Sequence, residues 1–283
     1  MSNIQLRLIF FFVAFPALIG MIAFMPFAGN LAFNLLVIVV AGIAAVEISH
    51  IFRNRGVRLS DAAAFVLGAA GPVSTYLKTS GLSTAEILPA FYVLAAAGLM
   101  AREIFHPREE DFREVLYRLA AYFFIMMYPG LFISYVGRLM ALPSGTAVVL
   151  VLIAGTYLND SAAWAAGVLW GRNNRNILTV SPNKSLVGFI AGFLASIIVA
   201  VGAAAAPGFL PVPLPAAVVL GAVLGFTTIL GDLAESALKR SGILKDSGTI
   251  IPGRGGLLDS IDSPLFSAPV FYYFYLVVMS LAG

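Results

Sequence analysis

The sequence predicts an all-α integral membrane protein with about nine transmembrane helices. Its composition, its long apolar runs and the placement of its basic residues all indicate this class. Of the 283 residues, 60% are hydrophobic and 11% are charged, and the mean hydropathy is +0.95. Because a soluble domain carries about 25% charged residues, this composition is typical of a membrane protein. The chain has no cysteine, which excludes disulfides and thiolate metal sites.

Nine apolar runs are each interpreted as one span, since a helix needs about 20 residues to cross a ~30 Å hydrocarbon core. The first run is too long for the apolar part of a signal peptide, and no convincing small-residue cleavage site follows it, so we interpret it as a retained helix. The third and fourth runs contain helix breakers and have less sharply defined ends. The runs cover residues 7–27, 31–52, 60–77, 86–101, 115–136, 146–170, 186–205, 214–231 and 264–282.

The basic residues divide unevenly between the two sides that nine spans would create. Fifteen lysines and arginines fall on one side, and only Lys78 and Arg138 fall on the other. The positive-inside rule places the basic side in the cytoplasm, with the N-terminus cytoplasmic and the C-terminus outside. Since no linker or soluble domain interrupts the helices, the sequence predicts a single polytopic domain over residues 1–283, with the motif-bearing part at approximately 146–283.

Small residues four positions apart recur in the C-terminal half and predict close helix packing. The pairs are Gly167 with Gly171, Gly188 with Gly192, and Gly221 with Gly225.

Two carboxylates lie within apolar runs and away from the run ends. Asp160 stands 12 residues before Arg172, about 18 Å along a helix at 1.5 Å per residue. An ionised carboxylate at that depth is costly unless it faces a polar cavity, a partner or a cation. We therefore favour a functional site at Asp160, with a structural hydrogen bond between helices as the alternative. Glu47 in the second span is interpreted as a residue that lines the same kind of cavity.

The end of the eighth run, 229-ILGDLAESALKR-240, places acidic and basic residues on one helix face. If the helix continues, Asp232, Glu235 or Ser236, and Lys239 follow one another at i, i+3 or i+4, and i+7. The alternative is an ordinary helix end with a solvated Glu235–Lys239 pair. That alternative accounts poorly for Asp232, which closes the apolar run.

The stretch 239-KRSGILKDSGTIIPGRGGLLDSIDS-263 combines glycine-rich loop residues with cations and aspartates. Glycine permits close approach of a ligand to the backbone, and backbone N–H groups beside lysine and arginine suit phosphate oxygens. Carboxylates are the ligands that Mg²⁺ takes together with substrate phosphates, and no cluster of His or Cys indicates zinc. Asp232, Asp259 and Asp262 are the carboxylates we expect to hold such an ion.

A second polar loop, 172-RNNRNILTVSPNKSLVG-188, precedes the seventh run. Lys184 and Ser185 are expected at the N-terminus of a helix, where free N–H groups favour anions. A plain N-cap at Ser181 or Ser185 is the competing interpretation. Together, the cations, the aspartates and a cavity open to lipid indicate phosphoryl or nucleotidyl transfer to a membrane substrate.

The motifs of the C-terminal half resemble those of the phosphatidate cytidylyltransferases, also called CDP-diacylglycerol synthases. The family pattern is Ser-x-x-Lys-Arg, Lys-Asp-x-Gly, Pro-Gly-His-Gly-Gly and Asp-Arg-hydrophobic-Asp, preceded by an Asp-Ser pair and Ser-Pro-x-Lys-Ser. The matching residues here are Ser236 to Arg240, Lys245 to Gly248, Pro252 to Gly256, Asp259 to Asp262, Asp160-Ser161 and Ser181 to Ser185. Three positions depart from the pattern: Arg254 replaces the usual His, Ser260 the usual Arg, and Val187 a frequent Glu.

The resemblance implies the reaction of CTP with phosphatidate to give CDP-diacylglycerol and pyrophosphate, with Mg²⁺, in phospholipid biosynthesis. It implies a nucleotidyltransferase in a lipid bilayer, with no nucleic-acid partner, placed in a bacterial inner membrane with its active site facing the cytoplasm. A homodimer and a second cation are left open. The alternatives are a polyprenol kinase or a divergent paralogue that also uses CTP and, from another class, a transporter.

The resemblance also assigns roles to individual residues. Asp232 and Asp259 are the expected Mg²⁺ ligands, and Asp262 and Asp246 are expected to complete or orient the metal site. Lys184 and Asp160 are expected on the substrate side of the cavity, together with Ser181 and Ser185. The catalytic set is Asp232, Asp246, Lys239 and Lys245, and the cations expected to bind the CTP and lipid phosphates are Lys184, Lys239, Arg240, Lys245 and Arg254.

Overall fold

The computed structural model of the protein describes residues 15–84, 87–105, 114–251 and 255–282, together with residues 13 and 112. Over these ranges the chain forms nine helices and no β-strand. The helices are α1 (Phe15–Phe24), α2 (Phe27–Arg53), α3 (Asp61–Thr79), α4 (Ile87–Phe105), α5 (Val115–Met140), α6 (Gly145–Leu169), α7 (Leu186–Ala205), α8 (Leu214–Ser241) and α9 (Leu258–Ala282).

Seven of these helices are long and apolar enough to cross a membrane, namely α2 and α4 to α9. They coincide with seven of the nine predicted spans, which are thereby confirmed as helices long and apolar enough to span. The third predicted span is the 19-residue helix α3, which includes Pro72 and Lys78 and is not among the seven. The first predicted span, 7–27, is described from Phe15 onward and at residue 13; α1 covers Phe15–Phe24 of it and is not among the seven. The chain is an all-α integral membrane protein, as the composition predicted.

Helix α5 changes its winding in the middle. Residues Met126–Phe132 are π-helical and include Pro129, whose missing N–H removes one helix hydrogen bond. The Tyr92 hydroxyl on α4 donates to the Met126 carbonyl at 3.1 Å. The irregular turn is therefore stabilised in part by a side chain from a neighbouring helix.

The chain divides into two compact units. Unit 1 comprises Met1–Arg138 and Ser241–Ser260, and unit 2 comprises Leu139–Arg240 and Ile261–Gly283. The segment 241–260, which carries much of the glycine-rich motif, thus groups with the N-terminal helices, while the rest of the motif-bearing part lies in unit 2. The single polytopic domain stays a prediction.

Polar contacts connect the helices of unit 1. Ser60 caps α3 through its hydroxyl, which accepts from the Ala63 N–H, and its own N–H donates to the Tyr122 hydroxyl of α5 at 2.9 Å. Arg118 of α5, only 7% exposed, forms an ion pair with Glu103 of α4. Because both charges are nearly buried, this pair fixes the position of α5 against α4.

Small residues bring α6, α7 and α8 of unit 2 close together, as the glycine spacing predicted. A methyl group at Gly188 would lie 2.7 Å from the Ala163 carbonyl oxygen, and one at Gly221 would lie 2.6 Å from the Ile197 Cα. Such distances leave no room for a side chain. Close packing is therefore confirmed for the pairs that contain Gly188 and Gly221.

Asn159 provides the polar contact among the same three helices. Its side-chain N–H₂ donates to the Ser196 hydroxyl at 3.0 Å and to the Gly225 carbonyl at 3.3 Å, and Asn159 is 1% exposed. Ser196 in turn donates to the Gly155 carbonyl at 3.1 Å. This network fixes the rotation of α6, and with it the direction of the neighbouring Asp160.

Candidate functional site

Unit 2 contains a cluster of charged side chains that come from four different segments. It is built from Asp160 of α6, Lys184 before α7, Asp232, Glu235 and Lys239 of α8, and Asp262 of α9. We call it the lysine–carboxylate cluster. Lys184 and Asp232 form an ion pair, and each side chain is 27% exposed. The structure therefore brings together the predicted phosphate-binding lysine and the predicted metal ligand that closes the eighth run.

Lys184 lies in a partly desolvated position just outside the spans. Burial lowers the pKa of the Lys184 ammonium below its usual value, while the charges of Asp160, Asp262 and Glu235 act in the opposite direction. Its ammonium also lies 5.9 Å from the centre of the Phe189 ring, within the range of a cation–π contact. A cation held in this way is oriented before any anionic ligand arrives.

Glu235 and Lys239 form an ion pair one helical turn apart on α8. The distance from Lys239 Nζ to Glu235 Oε2 is 2.6 Å. The Lys239 side chain is 16% exposed, and the Glu235 side chain is 1% exposed. The interpretation of this pair as a solvated helix end is wrong, because α8 continues to Ser241 and carries Glu235 into the interior of unit 2. The predicted common helix face of Asp232, Glu235 and Lys239 is confirmed.

Asp160 has a hydrogen-bond partner on another helix. The Ser263 hydroxyl of α9 lies 3.3 Å from Asp160 Oδ2 and 3.4 Å from the Thr228 carbonyl oxygen of α8. The contact between helices that was the alternative interpretation of Asp160 is therefore present. Its charge also acts on Lys184, so Asp160 belongs to the lysine–carboxylate cluster, and its role towards substrate stays a prediction.

Ser185 acts as the N-cap of α7. Its hydroxyl accepts from the Gly188 N–H at 3.1 Å, and the residue is 3% exposed. Ser181 accepts the Lys184 N–H through its carbonyl at 3.2 Å, which closes the turn before the helix. The N-cap interpretation is confirmed for Ser185, while the substrate-binding roles of Ser181 and Ser185 stay predictions.

Unit 1 contains a second polar cluster, around the glycine-rich loop. Its centre is Glu47 of α2, which is 2% exposed. One carboxylate oxygen of Glu47 accepts from the Leu257 N–H at 2.8 Å, and the other accepts from the Leu258 N–H at 2.7 Å and the Ser247 hydroxyl at 2.9 Å. Glu47 therefore binds the N-terminus of α9 and the Lys-Asp-Ser-Gly turn at the same time. We call Glu47, Ser247 and Asp259 the loop anchor.

Asp259 is the second carboxylate of the loop anchor. Its Oδ2 accepts from the Gly256 N–H at 2.7 Å and the Ser247 N–H at 2.9 Å, and it lies 3.0 Å from the Ser247 hydroxyl, whose single proton is shared between the two carboxylates. Whereas Glu47 binds the first N–H of α9, Asp259 binds backbone N–H groups of the loop before that helix. The predicted metal ligand Asp259 thus also stabilises the loop.

The glycines of the loop face these two carboxylates. A methyl group at Gly248 would lie 2.5 Å from Glu47 Oε1, and one at Gly255, whose φ is +114°, would lie 2.6 Å from Asp259 Oδ2. A methyl group at Gly256 would clash with the Ser247 hydroxyl. Glycine at all three positions is therefore explained by close approach to the loop anchor, whereas the sequence indicated only approach to a ligand.

The other predicted site residues have different environments. Arg240, Lys245 and Asp246 are exposed, and Asp262 is 7% exposed with its Oδ1 accepting from the Ser263 N–H at 2.7 Å. Arg254, and with it the centre of the Pro-Gly-Arg-Gly-Gly motif, lies outside the described residues. Sequence reasoning assigned no role to Ser247. Its only sequence signal was its place between a lysine–aspartate pair and a glycine.

The carboxylates present suit a hard cation that also binds substrate. Across the ranges that the structure describes, no group of three or more His, Cys, Asp or Glu side chains is arranged to hold a metal ion. Mg²⁺ is usually bound through one or two carboxylates, with waters and substrate phosphates as the other ligands. Asp160, Asp232 and Asp262 are carboxylates of the type that Mg²⁺ takes as ligands, and their role towards a metal ion stays a prediction.

The chain is similar in sequence to several known proteins and to one protein family. The chain is 36% identical over 147 residues to the uncharacterized protein YnbB of Escherichia coli, a match that covers 50% of this chain and 48% of that protein. It is 31% identical over 137 residues to a phosphatidate cytidylyltransferase of Synechocystis, covering 48% and 46%, and 30% identical over 174 residues to one of Thermotoga maritima, covering 60% and 64%. The match thus spans less than two thirds of each relative's length. The cytidylyltransferase family matches residues 5–278, and the chain belongs to that family.

Proposed function

We propose that this protein is a CTP:phosphatidate cytidylyltransferase. The observation that carries the proposal is the match of the cytidylyltransferase family to residues 5–278, a range that includes both the lysine–carboxylate cluster and the loop anchor. Relatives of 30% to 31% identity that are named phosphatidate cytidylyltransferase support the lipid acceptor. A membrane-embedded chain with clustered lysines suits a substrate that is both lipid and phosphate.

The proposed reaction joins two anions. An oxygen of the phosphatidate phosphate forms a bond to the α-phosphorus of CTP, the bond from that phosphorus to the bridging oxygen breaks, and pyrophosphate leaves. Because the lipid phosphate is already ionised, the main barrier is charge repulsion, which cations reduce. We assign this role to Lys184 and Lys239 of the lysine–carboxylate cluster and to the basic residues of the C-terminal motif, Arg240, Lys245 and Arg254.

The proposed cofactor is Mg²⁺. When bound, it would neutralise charge on the CTP phosphates. We propose Asp232 and Asp259 as ligands on the chemistry of their side chains and the motif in which they stand, with Asp262 and Asp246 as supporting carboxylates. Lys184 pairs with Asp232 in the described structure, so a cation that binds Asp232 would release the lysine for phosphate.

The experiment that tests this function follows CTP labelled in either the α- or the γ-phosphate. Purified protein in lipid vesicles with phosphatidate should transfer the α-label, and no γ-label, into lipid, and should stop when Mg²⁺ is chelated. Transfer of the γ-label would indicate a kinase, and no transfer to any acceptor would refute the proposal. Asp232→Asn and Asp259→Asn should each reduce transfer by at least tenfold, with Asp61→Asn as a matched control carboxylate.

A second acceptor specificity is worth testing in the same assay. Ser260, which stands where the family pattern has arginine, is 3% exposed on the first turn of α9. This chain therefore lacks a positive charge that the family pattern has at that position. The relative of 36% identity is uncharacterized, so its name indicates no acceptor. Running the assay with phosphatidate, polyprenyl phosphate and lysophosphatidate distinguishes a divergent paralogue from a phosphatidate enzyme.

We propose that the protein lies in the bacterial inner membrane with its site on the cytoplasmic side, which the 15-to-2 division of basic residues supports. Since the chain has no cysteine, single cysteines can be introduced without a background. Lys245→Cys should react with a membrane-impermeant maleimide only after cell lysis. Lys78→Cys should react in spheroplasts, and the opposite pattern would invert the topology.

A further inference from the structure

Glu47 of α2 binds the C-terminal motif through its side chain. It is separated from Ser247 by 200 residues in sequence, yet its carboxylate reaches the Ser247 hydroxyl, the Leu257 N–H and the Leu258 N–H. At 2% exposure it has little access to solvent. A buried carboxylate is tolerated only when it is matched by donors, and here all three donors belong to the segment 247–258.

The three donors lie on the two sides of the loop. Ser247 belongs to the turn after Lys245, while Leu257 and Leu258 lie after the Gly255-Gly256 pair at the start of α9. Between them, the Ile251 and Gly255 N–H groups each donate to the other residue's carbonyl, at 2.9 and 3.0 Å. Glu47 therefore closes the base of the loop, and its removal would leave the two sides connected through Asp259 and the Ile251–Gly255 pair.

The glycines make this arrangement specific to a carboxylate. Gly248 and Gly256 both approach Glu47 so closely that a methyl group at either would meet its oxygens at 2.5 Å. Two glycines, two backbone N–H groups and a hydroxyl thus surround one side chain. A residue that only filled space, or only lined a cavity, would not require this set of donors.

We infer that Glu47 is a positioning residue that holds the two described sides of the glycine-rich loop, 245–251 and 255–258, in the arrangement that binds the nucleotide phosphates. The inference rests on the proposed function for what the loop binds, but the anchoring itself does not depend on it. Glu47 does not contact the substrate in this mechanism; it acts through the loop, which carries Lys245. The expected consequence is a selective effect on CTP, since the loop is the proposed nucleotide-binding element.

The test compares Glu47→Gln with the wild type and with Asp61→Asn. Glutamine keeps the shape of Glu47, but its N–H₂ group faces an N–H or O–H donor and cannot accept from it. Asp61 is a suitable control because it is a half-exposed carboxylate of the same unit whose hydrogen-bond and ion-pair partners are Ser49 and Arg53. In Glu47→Gln the KM for CTP should rise about tenfold, the factor expected for one lost charge-assisted hydrogen bond, while the KM for phosphatidate should change less than twofold.

A second readout does not require activity. Hydrogen–deuterium exchange in nanodiscs should be about tenfold faster at Leu257 and Leu258 in Glu47→Gln, and unchanged in Asp61→Asn. Ser247→Ala keeps both backbone donors and should show a smaller change, so it tests the anchor if Glu47→Gln folds poorly. Unchanged exchange in both anchor variants would overturn the inference, as would faster exchange with an unchanged KM for CTP. An inactive wild type would instead reject the proposed function and leave the exchange result to decide the anchoring.

Discussion

Removing Lys239 should destabilise the protein much more than removing Glu235, although the two form one ion pair. Glu235 is 1% exposed on α8, whereas the Lys239 side chain is 16% exposed and stands two residues before the end of that helix. Lys239→Met leaves a carboxylate that cannot reach water. Glu235→Leu leaves an ammonium on a long stem that can extend towards solvent.

The size of the expected loss in free energy of unfolding follows from the burial of Glu235. Breaking a buried pair by removing one partner typically costs about 3–5 kcal/mol, because the remaining charge is uncompensated. The charge of Glu235 also acts on Lys184, so a second cation partly compensates the carboxylate, and we expect about 3 kcal/mol for Lys239→Met. Glu235→Leu should cost about 1 kcal/mol, and the double variant should lie near the wild type, since a packed apolar pair often replaces a buried ion pair without loss.

The assay is equilibrium unfolding in mixed micelles by titration with SDS, which gives the free energy of unfolding of all four proteins. Together these form a double-mutant cycle. The charge-removal control for stability is Lys245→Met, because Lys245 is exposed and has no part in the pair; it should change the free energy of unfolding by less than about 0.5 kcal/mol. Equal losses for the two single variants, or a double variant less stable than Lys239→Met, would refute the reasoning.

Two further predictions concern packing. Asn159→Leu should lower the free energy of unfolding by about 1–2 kcal/mol, because hydrogen bonds between membrane helices contribute about 0.6 kcal/mol each and the Ser196 hydroxyl loses its donor. SDS titration measures this loss. The control Leu158→Ala, at an exposed neighbouring position, should change the free energy of unfolding little. Gly256→Ala should reduce CTP incorporation at least tenfold by displacing the Ser247 hydroxyl, whereas Gly202→Ala, with open space around it, should leave incorporation unchanged.

The fold was largely predictable because hydropathy reports directly on the cost of placing a segment in lipid. Seven spans were identified from their apolar length alone. The same criterion is weaker for α3, where Pro72 and Lys78 interrupt the apolar pattern. Winding within a helix is a different property, and no feature of hydropathy indicates the π-helical turn at Met126–Phe132.

From helical spacing, the site was predictable only where its residues are close in sequence, whereas the grouping of Lys184 with Asp232 was expected from the family resemblance. The common face of Asp232, Glu235 and Lys239 follows from helical spacing, but the burial of Glu235 depends on helices that pack around α8. The role of Glu47 depends on donors more than 200 residues away. The available signal was a carboxylate inside an apolar run, which predicts that some partner exists but does not identify it.

The mixture of charges in the segment 239–263 has a physical explanation in the structure. Asp259, together with Glu47, accepts from backbone N–H groups and the Ser247 hydroxyl, so these acidic groups are used within the loop anchor. Arg240 and Lys245 are exposed. Of the acidic residues in the loop, Asp246 alone is exposed among those described. Within the described part of the loop, the Asp259 carboxylate is therefore used for internal hydrogen bonds, while the Lys245 ammonium is left exposed for an anionic ligand.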